Sequence, residues 1–84
     1  MASRQEILAA VIDIVRSHRP EAGEVGEASR FDEDLAVDSA TAMDLVMEIE
    51  DRYDLDIPLN ALADLRTVGD LADLVHRLLV ERGA

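Results

Sequence analysis

Apolar residues recur at helical spacing in three separate stretches of this chain, and this pattern decides most of what it can fold into. The stretches begin near Arg4, Ser39 and Thr67, and in each the apolar side chains return every three or four residues. Only Phe31 and Tyr53 are aromatic, so the core must be built from Leu, Ile, Val and Ala. An aliphatic core favours helices packed on helices over a β-sandwich. We therefore expect an all-α fold.

The first helix is predicted to run from about Arg4 to Ser17. A capping box formed by Ser3 and Glu6 opens it, and Pro20 ends it because proline disfavours helical geometry in the preceding residue. Residues 18–37 then form a long connection. Loops of this length are uncommon in small domains unless they are anchored. The expected anchors are three apolar side chains, Phe31, Leu35 and Val37.

The second helix is predicted from about Ser39 to Tyr53, and a short third helix lies between Leu59 and Leu65. The fourth begins at Thr67, where Asp70 completes a box-like start. The result is a four-helix bundle, with three longer helices and a short one, in a single domain of residues 1–84. The short helix is expected to be held by Leu59, Leu62 and Leu65. On the fourth helix, an exposed ion pair is expected between Asp73 and Arg77.

Charge narrows the classes of partner. The formal net charge is −11, and residues 32–56 hold ten acidic residues against one arginine. Nucleic acid and anionic membrane surfaces would be repelled, so partners with basic patches are expected. The chain has no cysteine, which excludes disulfides and thiolate metal sites. No signal peptide or membrane-spanning run is found, so we expect a cytoplasmic monomer without membrane insertion.

The second helix turns carboxylates and methionines away from its apolar side, and a hydroxyl lies at its start. Serine is favoured at helix N-caps, so Ser39 by itself would be interpreted as a cap, a position that Asp38 could also fill. The acids could likewise be only a solvated face. However, an exposed hydroxyl without catalytic residues around it is also a place where a group can be attached.

With these features in place, the chain closely resembles an acyl carrier protein along nearly its whole length. The similarity lies in four segments: Phe31…Asp34-Leu35-x-Val37-Asp38-Ser39, Glu48-x-Glu50-Asp51-x-Tyr53, Asp56-Ile57-Pro58 and Thr67-Val68-Gly69-Asp70-Leu71. The resemblance implies that Ser39 bears 4′-phosphopantetheine, attached from coenzyme A by a separate phosphopantetheinyl transferase. Asp38 would flank the site and help to position a metal ion or the transferase. The chain itself would be no enzyme, since the chemistry occurs in its partners.

The resemblance also implies which surfaces the partners use. An acyl-carrier-protein ligase, an acyltransferase, a ketosynthase or similar enzymes of fatty-acid, specialised lipid or polyketide synthesis would present basic patches to the carrier. The recognition surface would consist of Ala40, Met43, Asp44, Met47, Glu50 and Asp51. The acyl chain could be sheltered among Ala42, Val46, Ile49, Leu62 and Leu71, although each of these residues also fits ordinary core packing.

One position departs from the family pattern. Ala40 follows the serine where the family usually has leucine, a residue that contacts the transferase and partner enzymes. The smaller side chain indicates a specialised carrier with dedicated partners.

Other classes of function fit the residues less well. An EF-hand that began at Asp32 would need glycine at the sixth position, where Val37 stands, so no metal site is predicted. A serine hydrolase would need a Gly-x-Ser-x-Gly elbow around Ser39, and neither His18 nor His76 is near it in sequence. Two alternatives remain open: an aminoacyl or peptidyl carrier, and an unmodified acidic module for protein interaction.

Overall fold

The computed structural model describes residues 3–82, and its regular structure is helical. In chain order the elements are α1 (Arg4–His18), a single 3₁₀ turn (Pro20–Ala22), α2 (Ser39–Tyr53), α3 (Leu59–Leu62) and α4 (Val68–Glu81). Between residues 3 and 82 the β-type pairing amounts to one isolated bridge, between Arg30 and Thr67. The predicted all-α bundle of three longer helices and one short helix is therefore confirmed.

The core lies where α1 packs against α4 and α2. Its largest fully buried side chains are all aliphatic, as the composition predicted: Ile7, Val11, Val15, Leu45, Ile49, Val68, Leu71 and Val75. Each such side chain contributes roughly 1.5–3 kcal/mol through removal from water. Two further core residues, Val25 and Ile57, come from the loops and lie outside the helical stripes.

Capping boxes begin α1 and α4, the first and last helices, as expected. The Ser3 side chain accepts from the backbone N–H of Glu6, and the Glu6 carboxylate accepts from the N–H of Ser3. Thr67 and Asp70 form the same reciprocal pair at the start of α4. Both predicted capping boxes are confirmed. The start of each of these helices is therefore fixed by hydrogen bonds among four consecutive residues.

Two predictions about side chains are wrong. Leu59 is 71% exposed, so it does not hold α3 on the bundle, and α3 ends at Leu62 instead of Leu65. Asp73 forms its ion pair with Arg4 of α1, and within residues 3–82 no pair joins it to Arg77. An i,i+4 pair is worth only a few tenths of a kcal/mol, and a cation on the adjacent helix is available to Asp73 once the bundle forms.

The long connection is held against the start of α4 by its backbone. The N–H of Val68 donates to the carbonyl of Ser29 at 3.0 Å, and the N–H of Gly69 donates to the carbonyl of Glu27 at 2.8 Å. These donors belong to the first turn of α4, whose N–H groups have no partner inside the helix. Of the predicted anchors, Leu35 is buried and Phe31 and Val37 are partly buried. The connection thus reaches α2 along a defined path.

Gly69 allows this close approach, and we expect Gly69→Ala to destabilise the fold. A Cβ at this position would lie 2.6 Å from Cγ of Glu27 and 3.1 Å from its carbonyl oxygen. Such overpacking typically costs about 1–3 kcal/mol, against a gain of about 1 kcal/mol in helix propensity. Urea denaturation should therefore show a net loss. The loss should shrink in a Glu27→Ala background, which removes Cγ; equal losses in both backgrounds would contradict the packing explanation.

Candidate functional site

Asp38 and Ser39 lie at the start of α2, and Asp38 is the N-cap. Its Oδ1 accepts from the backbone N–H of Thr41 at 2.8 Å, and its own carbonyl accepts from the N–H of Ala42 at 2.9 Å. The Thr41 backbone bond, then the Thr41 hydroxyl and the charge of Arg19, hold the pKa of Asp38 below its usual value. The interpretation of Ser39 as the cap is therefore wrong. Ser39 is the first residue of the helix and is exposed.

The backbone that leads into this helix turns sharply at Ala36, whose φ of 50° lies in the left-handed region. The next residue, Val37, donates its N–H to the carbonyl of Phe31 at 2.8 Å. The carbonyl of Ala36 accepts from Nη2 of Arg19 at 2.9 Å. The sequence did not indicate this contact of Arg19 with residue 36. The one signal at Arg19 is its position between α1 and Pro20, which distinguishes it from the other arginines.

An apolar cavity of about 220 Å³ opens beside Ser39. Four of the five residues predicted to shelter an acyl chain line it, namely Ala42, Val46, Leu62 and Leu71. The fifth, Ile49, is fully buried in the core and is not part of the cavity wall. The remaining wall was not predicted and consists of Phe31, Val37, Asp38, Ser39, Leu45 and Leu65. The structure thus joins the hydroxyl and the apolar space into one site.

The exposed side of α2 carries most of the predicted recognition residues. Met43 is 41% exposed and Met47 is 58% exposed, a high value for such large apolar side chains. The other fully exposed members of this surface, which we call the α2 face, are Ala40, Asp44 and Asp51.

Glu50 differs from the other acids of α2. It is half-buried, and its Oε2 accepts from the backbone N–H of Ile57 at 2.8 Å. This bond ties the end of α2 to the loop that precedes α3, so Glu50 has a structural role that its sequence position did not indicate. Glu48 also has a partner within the fold, since its Oε1 lies 3.0 Å from Nε2 of His18.

The arrangement does not support hydrolysis at Ser39. Between residues 3 and 82, His18 pairs with Glu48 and neither His18 nor His76 is hydrogen-bonded to Ser39. A nucleophilic serine needs a base within hydrogen-bond reach. The same part of the chain contains no group of three His, Asp or Glu side chains placed to hold a metal ion. None of its helices combines the length and apolar character that crossing a membrane requires.

Comparison with known proteins agrees with this geometry. Residues 5–75 match the family described as a phosphopantetheine attachment site. A probable acyl carrier protein of Caulobacter vibrioides is 47% identical over 55 residues, which span 66% of this chain and 64% of that protein. An acyl carrier protein of Prochlorococcus marinus is 39% identical over 75 residues, which span 88% of this chain and 94% of that protein.

The fold points to the same relationship. The crystal structure of an acyl carrier protein from Thermotoga maritima superposes with a TM-score of 0.78 at 32% identity and covers 94% of this chain and 93% of that one. A family match over most of the chain, with a shared fold, also identifies the cofactor as phosphopantetheine. The chain therefore belongs to the acyl carrier proteins, which carry acyl groups on phosphopantetheine and are not themselves enzymes.

Proposed function

We propose that Ser39 is the residue that bears 4′-phosphopantetheine and that acyl intermediates travel on its thiol as thioesters. The observation that supports this most directly is the position of Ser39. Its hydroxyl is exposed at the first residue of α2, where it also borders the apolar cavity. Incubation with coenzyme A and a phosphopantetheinyl transferase should add the mass of one phosphopantetheine. Fragmentation should locate that mass on Ser39; a location elsewhere, or no gain with several active transferases, would contradict the proposal.

The surroundings of Ser39 suit the attachment chemistry. In the transfer, the serine Oγ forms a bond to the pantetheine-side phosphorus of coenzyme A and loses its proton. The pyrophosphate P–O bond breaks, and adenosine 3′,5′-bisphosphate leaves. The resulting phosphodiester is an anion at the positive end of α2, where helix dipole and N–H groups favour negative charge. Within the first turn of α2 there is no acidic residue, and the one carboxylate next to Ser39 is that of the N-cap, Asp38.

The apolar cavity is our proposed shelter for the acyl chain. Its wall combines α2 side chains with Leu62 of α3, Leu71 of α4 and Phe31 of the long connection. Because this apolar space opens beside Ser39, an acyl chain on the arm would find a place to be buried next to the site of attachment. Ile49 is not part of this proposal.

The α2 face is the proposed docking surface for the transferase and for partner enzymes with basic patches, such as a ligase, an acyltransferase or a ketosynthase. Exposed carboxylates would speed the encounter through long-range attraction, while Met43 and Met47 would adapt to several partners. Glu50 is left out of this surface, because its carboxylate already accepts a hydrogen bond from the backbone N–H of Ile57.

Charge reversal on the α2 face is expected to slow partner reactions. The double variant Asp44→Arg/Asp51→Arg removes two attractive charges and adds two repulsive ones, so kcat/KM with the transferase should fall by about tenfold or more at low salt. Its dependence on salt should also flatten, since screened attraction is what salt removes. Asp13→Arg, an exposed reversal on α1, is the matched control. Equal rates for the double variant and the control would show that the face is only solvated.

The group that the protein carries would identify its pathway, and that group can be measured by mass. We propose a monomeric carrier domain of residues 1–84 that acts in the cytoplasm, and the small Ala40 supports dedicated partners. Intact mass of the protein isolated from its own cells would distinguish a fatty, polyketide or specialised lipid acyl group from an aminoacyl or peptidyl one. A protein that is always unmodified there would favour the interaction module instead.

A further inference from the structure

Arg19, at the end of α1, contacts one residue on each side of Ser39, through the backbone of Ala36 and the side chain of Thr41. Its own N–H donates to the carbonyl of Val15 at 2.9 Å, which places the residue directly after the helix. Its Nη2 donates to the carbonyl of Ala36 at 2.9 Å and lies 3.5 Å from Oγ1 of Thr41. One guanidinium nitrogen thus reaches both ends of residues 36–41, which we call the attachment segment.

The conformation that Arg19 holds is one that the segment does not prefer by itself. Ala36 has a φ of 50°, and a residue with a Cβ adopts such values at a cost in free energy. A strained backbone persists only where its surroundings hold it. Here the surroundings are the Arg19 bond to the Ala36 carbonyl and the bond of 2.8 Å between the N–H of Val37 and the carbonyl of Phe31.

The guanidinium of Arg19 forms only a weak ion pair that would compete with its contacts to residues 36 and 41. Its side chain is 25% exposed, and its partner Glu21, at 3.5 Å, is 67% exposed and therefore strongly screened by water. The buried Nε of Arg19 has no hydrogen-bond partner in the described part of the chain. Its positive charge acts instead on Asp38, the cap of α2, whose pKa it helps to lower. The guanidinium is thus a cation held at Ala36 and Thr41, the two ends of the segment that contains Ser39.

We propose that Arg19 is a positioning residue for phosphopantetheine attachment, which fixes the attachment segment so that Ser39 meets the transferase in one geometry and with a cation close by. The proposal rests on Ser39 as the attachment site. Arg19 takes part in no bond change; it acts through the backbone of Ala36 and the charge that it places next to Asp38. Nothing in the family match or in the names of the relatives assigns it this role.

The test compares Arg19→Met, which keeps the aliphatic part of the side chain, with Arg19→Lys. The lysine keeps the positive charge but lacks the planar set of N–H donors of a guanidinium. Arg16→Met is the matched control, since Arg16 is an exposed arginine in the last turn of α1, just before Arg19. Transfer of phosphopantetheine from coenzyme A to each full-length apo protein is followed by intact mass with one purified transferase. We expect kcat/KM to fall about tenfold for Arg19→Met, chiefly through kcat, and less for Arg19→Lys. Arg16→Met should match the wild type.

A second substitution separates positioning from general loss of stability. Glycine adopts positive φ without strain, so Ala36→Gly placed in the Arg19→Met protein should restore part of the lost kcat. An Arg19→Met protein that reacts as fast as the wild type would overturn the role of Arg19 alone. So would a loss of kcat that Ala36→Gly does not restore in part. A wild type that gains no mass at Ser39 would overturn the attachment site as well, so the two failures are distinguishable.

Discussion

Replacing Ser39 with alanine should abolish phosphopantetheine attachment completely while the fold is retained. The substitution removes the only atom that could form the phosphodiester at this position. It does not remove the helix cap, because Asp38 and not Ser39 accepts from the N–H of Thr41. The change in the free energy of unfolding should therefore stay within about 0.5 kcal/mol.

Intact mass after incubation with coenzyme A and the transferase measures the first effect, and urea denaturation measures the second. Ser17→Ala is a suitable control, since Ser17 is also exposed on a helix but its hydroxyl donates to the carbonyl of Ile14. Ser17→Ala should be modified as fully as the wild type. A Ser39→Ala protein that still gains the phosphopantetheine mass would place the attachment at another residue.

Truncating Ile49 to alanine should cause the largest loss of stability of any substitution considered. Ile49 is fully buried between the helices and is not part of the wall of the cavity beside Ser39. Removing its branched side chain typically costs about 2–5 kcal/mol, from lost burial and from the void left behind. A small domain has only about 5–15 kcal/mol of total stability, so a measurable unfolded fraction is expected in water.

Met47→Ala is the matched control for this experiment, because Met47 lies on the same helix with 58% of its surface exposed. Its effect on the urea midpoint should be small, whereas its effect on partner reactions should be visible. If Ile49→Ala does not fold, Ile49→Val should still show a loss of about 0.5–1.5 kcal/mol. Equal midpoints for the Ile49→Ala and Met47→Ala proteins would contradict the assignment of Ile49 to the core.

Much of the fold could be predicted from the sequence because helix periodicity and capping are local. The bounds of α2 follow from apolar spacing between Ser39 and Tyr53, and both capping boxes were predicted from residues three apart. The aliphatic core of the three longer helices was predicted in the same way. Such signals lie within one turn or one face of a helix, so no knowledge of the neighbouring elements is needed to interpret them.

The burial of loop residues could not be predicted, because it depends on the path of the chain between helices. Val25 and Ile57 are buried, and Leu59 is exposed, although all three are aliphatic residues in segments without clear periodicity. Glu50 and Asp44 are both acids of α2, yet only the first meets a backbone N–H from the loop that follows. In each comparison the side chains belong to the same chemical class, aliphatic or acidic, and their position in space decided the outcome.

By itself, the sequence determined a helical bundle, its aliphatic core and the location of one candidate hydroxyl beside an acidic helix. The tertiary structure was needed to show that a cavity opens beside Ser39 and that Arg19, at the end of α1, reaches Ala36. The physical reason is distance along the chain. Helix starts are settled by hydrogen bonds over a few residues, whereas the site is assembled from elements that meet only after the long connection has docked.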